Sequence, residues 1–172
     1  LANIRETDAI IHVLRCFDDD NVTHVDGSVD PVRDKEIIDA ELQIKDLETV
    51  EQRIQRVQKQ ATTGGDKQAK LQYEVLCKYR DVLQQGKSAR SVTFDTKDEQ
   101  KAAKALFLLT SKPVLYVCNV DEKSAINGNK YVDQVREAIK EENAELLIVA
   151  ARTEADIAEL ETYEDRQMFL AE

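Results

Sequence analysis

Three cysteines in 172 residues, Cys16, Cys77 and Cys118, are too few and too unevenly spaced to build a disulfide framework. No C-x-x-C pair occurs, which argues against a zinc site as well, and reduced, mostly buried thiols are expected. No apolar run approaches the roughly 20 residues that span a bilayer, and the amino-terminal residues lack the basic-then-apolar layout of a signal peptide. A membrane role is set aside, and cytoplasm is the expected compartment. Equally absent is any G-x-x-x-x-G-K-[ST], so no loop is suited to cradle a nucleotide's phosphates. No Ser/His/Asp or Cys/His constellation offers a nucleophile instead.

What is present points to a folded protein. Hydrophobic residues make up 42% of the chain, enough for a modest core in one domain, or one domain with an appendage. The net charge of −10 is unevenly spread: between Gln52 and Arg90 nine Lys/Arg face only three Asp/Glu. A basic segment on an acidic chain is the electrostatic footprint of a surface that meets phosphate backbones. The same charges also suit the solvated outer face of an exposed helix. Arg53, Arg56, Lys59, Lys67 and Lys70 are the candidate contacts.

That segment reads as a helical hairpin. Asp30 is placed to cap a helix with Pro31 at its first position. Leu47, Val50, Ile54, Val57 and Ala61 follow the 3-4-3-4 spacing of a coiled-coil seam. Residues 62–66 then break it with Gly64-Gly65, and a second apolar face follows in Leu71, Val75, Leu76, Tyr79, Val82 and Leu83. Two helices joined so briefly lie antiparallel.

Around this arm, strands and helices alternate. Strands are expected over 9–17, 113–119 and 146–150, and helices over 97–109 (capped by Asp95 or Thr96), 131–142 and the carboxyl-terminal stretch with Ile157, Leu160, Met168, Phe169 and Leu170. Such alternation gives right-handed crossovers and a parallel sheet. The expected fold is α/β: residues 1–30 and 91–172 form a parallel sheet with its helices, and 31–90 form an inserted antiparallel coiled-coil hairpin. The strand over 9–17 would leave an unpaired, hydrophobic edge.

The second strand carries the most specific chemistry. The apolar run from Pro113 suits a strand covered on both faces, and it ends in Asn119-Val120-Asp121-Glu122 at the end where parallel sheets bind ligands. An Asn amide can pair with a purine's N7 edge, while a carboxylate best accepts the pair of donors that guanine offers and adenine does not. GTP-specific proteins carry Asn-Lys-x-Asp at such a corner. Here Val120 replaces the Lys and Glu122 the Asp, which weakens guanine selectivity and admits adenine.

Residues 1–17, His24 to Asp34, Glu41-Leu42, Asp46 to Glu51, Lys112 to Glu122 and Ala150 to Leu160 together resemble the YchF-type branch of the Obg-related P-loop NTPases. The resemblance covers nearly the whole chain. It implies a ribosome-associated ATPase that also binds GTP, with a helical hairpin inserted in its G domain and a carboxyl-terminal TGS domain. It also places Ala150, Ala151 and Arg152 in a second base-contacting loop beside Asn119, Val120 and Glu122. The phosphate loop, switch regions and TGS domain of that family have no counterpart here, so the chain reads as an internal fragment. Hydrolysis and Mg²⁺ are expected of the intact parent only, and no catalytic or metal residue is assigned. A non-catalytic module that binds ribosome or RNA through the arm is the alternative.

Other polar groups have plainer readings. Asp18-Asp19-Asp20 is a solvated turn, since successive acids do not converge on a cation. His12 is a core histidine and His24 a loop brace. Arg33 and Asp34 are expected to tie the root of the arm to the sheet.

Overall fold

The computed structural model describes residues 2–18 and 28–151. Strands β1 (Ile10–Arg15), β2 (Val114–Asn119) and β3 (Glu145–Val149) form one sheet in that order. β2 and β3 run parallel, with Leu115 opposite Glu145 and Asn119 opposite Val149. Ile10 N donates to Pro113 O at 2.9 Å and Cys16 N to Asn119 O at 2.7 Å. Both partners advance together, so β1 is parallel to β2 as well. The helices are α1 (Ala2–Arg5), α2 (Pro31–Thr63), α3 (Lys67–Gln84), α4 (Lys97–Lys104) and α5 (Lys130–Ile139).

The chain divides into two compact units, Leu1–Ile10 with Glu36–Pro113 and Ile11–Lys35 with Val114–Glu172. The first holds the hairpin. Its long helix α2, 33 residues or about 50 Å, starts where expected, with Asp30 Oδ1 accepting from Arg33 N at 3.0 Å. Gly65, at φ 65°, turns the chain, and Asp66 Oδ1 caps α3 by accepting from Gln68 N and Ala69 N. Gly86, at φ 71°, ends α3, and its N–H donates to Leu83 O. Val50 and Ile54 of α2 bury against Val75, Leu76, Tyr79 and Leu83 of α3.

The hairpin's core is completed from outside 31–90. Ala103, Leu106 and Leu108 join the same cluster, and Phe94 meets the Tyr79 ring edge-on at 5.2 Å. The unit around the hairpin therefore extends beyond its two helices. Thr96 caps α4, but the helix stops at Lys104 instead of Leu109. Leu106 N and Phe107 N tighten onto Ala103 O and Lys104 O, and beyond them the buried carboxylate of Asp46 takes Leu109 N and Thr110 N, each at 2.7 Å. Phe107 swings to φ 51° and residues 109–111 form a 3-10 turn.

In the second unit α5 lays Val132, Val135 and Ile139 on Leu14, Cys16, Tyr116, Cys118 and Val120. Asn129 Oδ1 caps it by accepting from Tyr131 N and Val132 N, while Nδ2 donates to Cys16 O at 2.7 Å. The helix ends at Ile139, short of Glu142, because Asn143 (φ 52°) turns the chain toward β3. Among the described residues, one face of the sheet is well covered. On the other, Ile11 and Val13 of β1 are 64% and 62% exposed and Leu147 of β3 50%, whereas Leu115 and Val117 of β2 are half-buried, so the central strand is covered on one face and partly shielded on the other. An unbroken apolar run does not reveal how many layers cover it.

Arg33 and Asp34 pair with each other at 3.3 Å, and Arg33 Nη2 reaches Ser28 O. Neighbours in sequence satisfy one another more readily than a distant strand, so the expected tie is not made by them. Within the second unit Lys35 holds Glu142 at 2.9 Å, and Tyr116 OH donates to the same carboxylate at 2.6 Å. His12 is half-buried with its ring 5.7 Å from that of Tyr116. Cys16 and Cys118 are fully buried and Cys77 partly so, all three free thiols. A hydrogen bond to Cys118, then burial, pushes the Cys16 thiol up. Asp19, Asp20, His24, Arg152 and the expected carboxyl-terminal helix lie outside the described residues.

Candidate functional site

Asn119 is the last residue of β2, and its backbone is held from both sides. Its carbonyl accepts from Cys16 N, and the next amide, Val120 N, donates to Val149 O at 2.9 Å. Its side chain is held too: Oδ1 accepts from Ala151 N at 3.2 Å. The ends of β2 and β3 are thus joined through one amide. An N–H can only face an acceptor, so this bond fixes which way the amide points. Nδ2, a donor, has no partner among the described residues.

The other residues at the corner divide by burial. Val120 is 3% and Ala150 7% exposed, both part of the core beneath the strand ends. The Val120 side chain therefore supports the corner from below. Glu122 opens a 3-10 turn, Glu122–Ser124, and is exposed, as is Ala151. The Glu122 carboxylate makes no hydrogen bond or ion pair among the described residues. Residue type alone does not expose the part played by the Ala151 amide, because any residue but proline supplies one. Asn129, whose cap and Cys16 contact brace the end of β1, is visible in the sequence as a polar residue just before an amphipathic helix.

On the hairpin unit, Arg53, Arg56, Lys59, Lys67 and Lys70 are all exposed on α2 and α3. None has an ion-pair partner among the described residues, whereas Lys78 and Arg80 further along α3 pair with Glu99 and Asp81. The positive charge of the distal arm is uncompensated. Among the described residues no three His, Cys, Asp or Glu side chains gather as metal ligands, so nothing described fits Mg²⁺. No helix among them is long and apolar enough to cross a membrane.

A three-stranded parallel sheet with an inserted helical hairpin defines the class: an α/β fold matching part of a YchF-type G domain. The solved structure titled Structure of the Schizosaccharomyces pombe YchF GTPase superposes with a TM-score of 0.83 at 29% identity, over 97% of this chain and 46% of that one. The sequence narrows it further, for the chain is homologous throughout to the YchF and Obg-like ATPases. It is 51% identical over 174 aligned positions to the Ribosome-binding ATPase YchF of Bacillus subtilis (strain 168), covering 100% of this chain and 47% of that protein. Against the protein of that name from Escherichia coli O157:H7 it is 47% identical, covering 100% and 46%. Obg-like ATPase 1 of Rattus norvegicus is 38% identical, with 99% and 44% covered. The chain spans less than half the length of these relatives. No protein-family model matches it.

Proposed function

We infer that this chain supplies the base-reading corner and the ribosome-facing arm of a cytoplasmic, ribosome-associated nucleoside triphosphatase that takes ATP, with GTP as the alternative. The observation that carries it is the bond from Ala151 N to Asn119 Oδ1. It leaves Nδ2 to donate to N7, an acceptor that adenine and guanine share. Glu122 and Ala151 flank the base, with Val120 and Ala150 beneath. Phosphates and Mg²⁺ would supply most of the binding energy and the hydrolytic chemistry, and no step is assigned to them on these residues. This part alone binds nucleotide weakly and is inactive.

Titration of the ¹⁵N-labelled chain with millimolar ATP, GTP and CTP tests the corner. The Asn119 side-chain amide and the Ala151 amide should shift with both purines and not with CTP. No shift, or an equal one with CTP, removes the reading. For the arm, R56E/K59E/K67E/K70E should weaken ribosome co-sedimentation at least tenfold and flatten its salt dependence. Unchanged sedimentation would take the ribosome contact away from the arm.

A further inference from the structure

A cavity of about 250 Å³ opens in the hairpin unit between α2, α3 and α4. Its floor is aliphatic, built on the buried Val75, Leu76 and Leu106 with Val57 beside them. The space exists because α4 turns Ala102 and Ala105 toward it, single methyl groups where longer side chains would fill the gap. Arg53, Lys101, Gln68 and Gln72 stand on the rim with Asp98 as the one acid, and none of the three charged groups has an ion-pair partner among the described residues. The rim is therefore net positive over an apolar floor.

Size and lining decide what fits. The volume lies below the roughly 300–1,000 Å³ of cofactor sites, so one or two side chains can enter but a whole cofactor cannot. No aromatic ring lines the cavity, and a splayed-out nucleobase depends on stacking against one. A floor of branched aliphatics under two cations instead matches an aliphatic side chain with carboxylates on either side, the pattern of an anchor residue seated between helices. We propose that this cavity is a docking socket for an acidic protein segment. The segment inserts a leucine-like side chain against Val75, Leu76 and Leu106 and sets its flanking carboxylates on Arg53 and Lys101. The socket stands whether or not the basic residues nearer the tip meet RNA.

The full chain, labelled at its alanine methyls, is titrated with a Glu-Asp-Leu-Leu-Asp-Glu peptide. A Lys-Lys-Leu-Leu-Lys-Lys peptide, a Glu-Asp-Ser-Ser-Asp-Glu peptide and a hexauridine RNA are run in parallel. The Ala102 and Ala105 methyl signals should shift saturably with the first probe and with none of the others. Affinity should fall at least tenfold in R53E/K101E, which keeps the shape, and in A105L, which fills the space from an exposed position; circular dichroism checks that both fold. The proposal is overturned by any of three results: no shift at millimolar peptide, equal shifts with the basic or serine peptide or with RNA, or undiminished affinity in A105L. Because the socket assay contains no ribosome and spares the four tip residues, it can fail or succeed independently of the sedimentation test.

Discussion

Asp46 and Thr110, 64 positions apart in sequence, share two hydrogen bonds in the interior: Asp46 Oδ2 accepts from both the backbone N and the hydroxyl of Thr110, each at 2.7 Å. The hydroxyl oxygen in turn accepts from Ala89 N at 2.8 Å. A fully buried carboxylate is tolerated here because three donors satisfy it, the third being Leu109 N. Asp46→Ala strands all three at once and should cost about 3–5 kcal/mol. Urea denaturation measures it, and a loss below about 1 kcal/mol would show that water replaces the carboxylate.

Tyr79, in the same core, is pushed up to about 12 from 10.0, by burial first and then by the charge of Asp46. The fold holds the neutral phenol, so the unfolded chain releases its proton first as pH rises. This group leaves stability untouched below about pH 10 and erodes it between about 10 and 12, by about 1.4 kcal/mol at pH 11. Tyr79→Phe should lose less stability than the wild type between about pH 9 and about pH 11. Identical losses would mean the phenol is wet in the folded state.

Lys35 and Glu142 form the other buried tie, and the Lys35 side chain is only 8% exposed. Removing the cation leaves Glu142 held by the Tyr116 hydroxyl. Lys35→Ala should cost about 1–3 kcal/mol, discounted from the fully buried case because Glu142 is 25% exposed. A double-mutant cycle with Glu142→Ala isolates the pair, and a coupling near zero would assign the loss to packing of the lysine stem.

Asn129 does two jobs with one amide, capping α5 and holding the end of β1 through Cys16 O. Asn129→Asp keeps the cap but loses the donor, whereas Asn129→Ala loses both. The expected order of stability is wild type, then Asp, then Ala, with a total span of about 1–3 kcal/mol. Hydrogen exchange at the Tyr131 and Val132 amides should quicken only in the alanine variant.

Much of this architecture is legible from local patterns. The seam from Leu47 to Ala61, the caps at Asp30 and Thr96, and the three parallel strands follow from periodicity and residue type. The exceptions share a cause, in that a distant group decides a local outcome. Nothing between Lys97 and Leu109 announces a stop, and the acceptor that holds Leu109 and Thr110 out of the helix is Asp46, on another helix. The apolar run of β2 looks the same whether one or two layers cover it. Asn119 is marked by its chemistry, yet the direction of its amide is set by a backbone N–H that leaves no trace in side-chain identity.

Ile11, Val13 and Leu147 present oily side chains to water on one face, and β1 closes the sheet with partners on one flank alone among the described residues. Stickiness and an open hydrogen-bonding rim then occur together, the combination that lets copies stack or zip side by side.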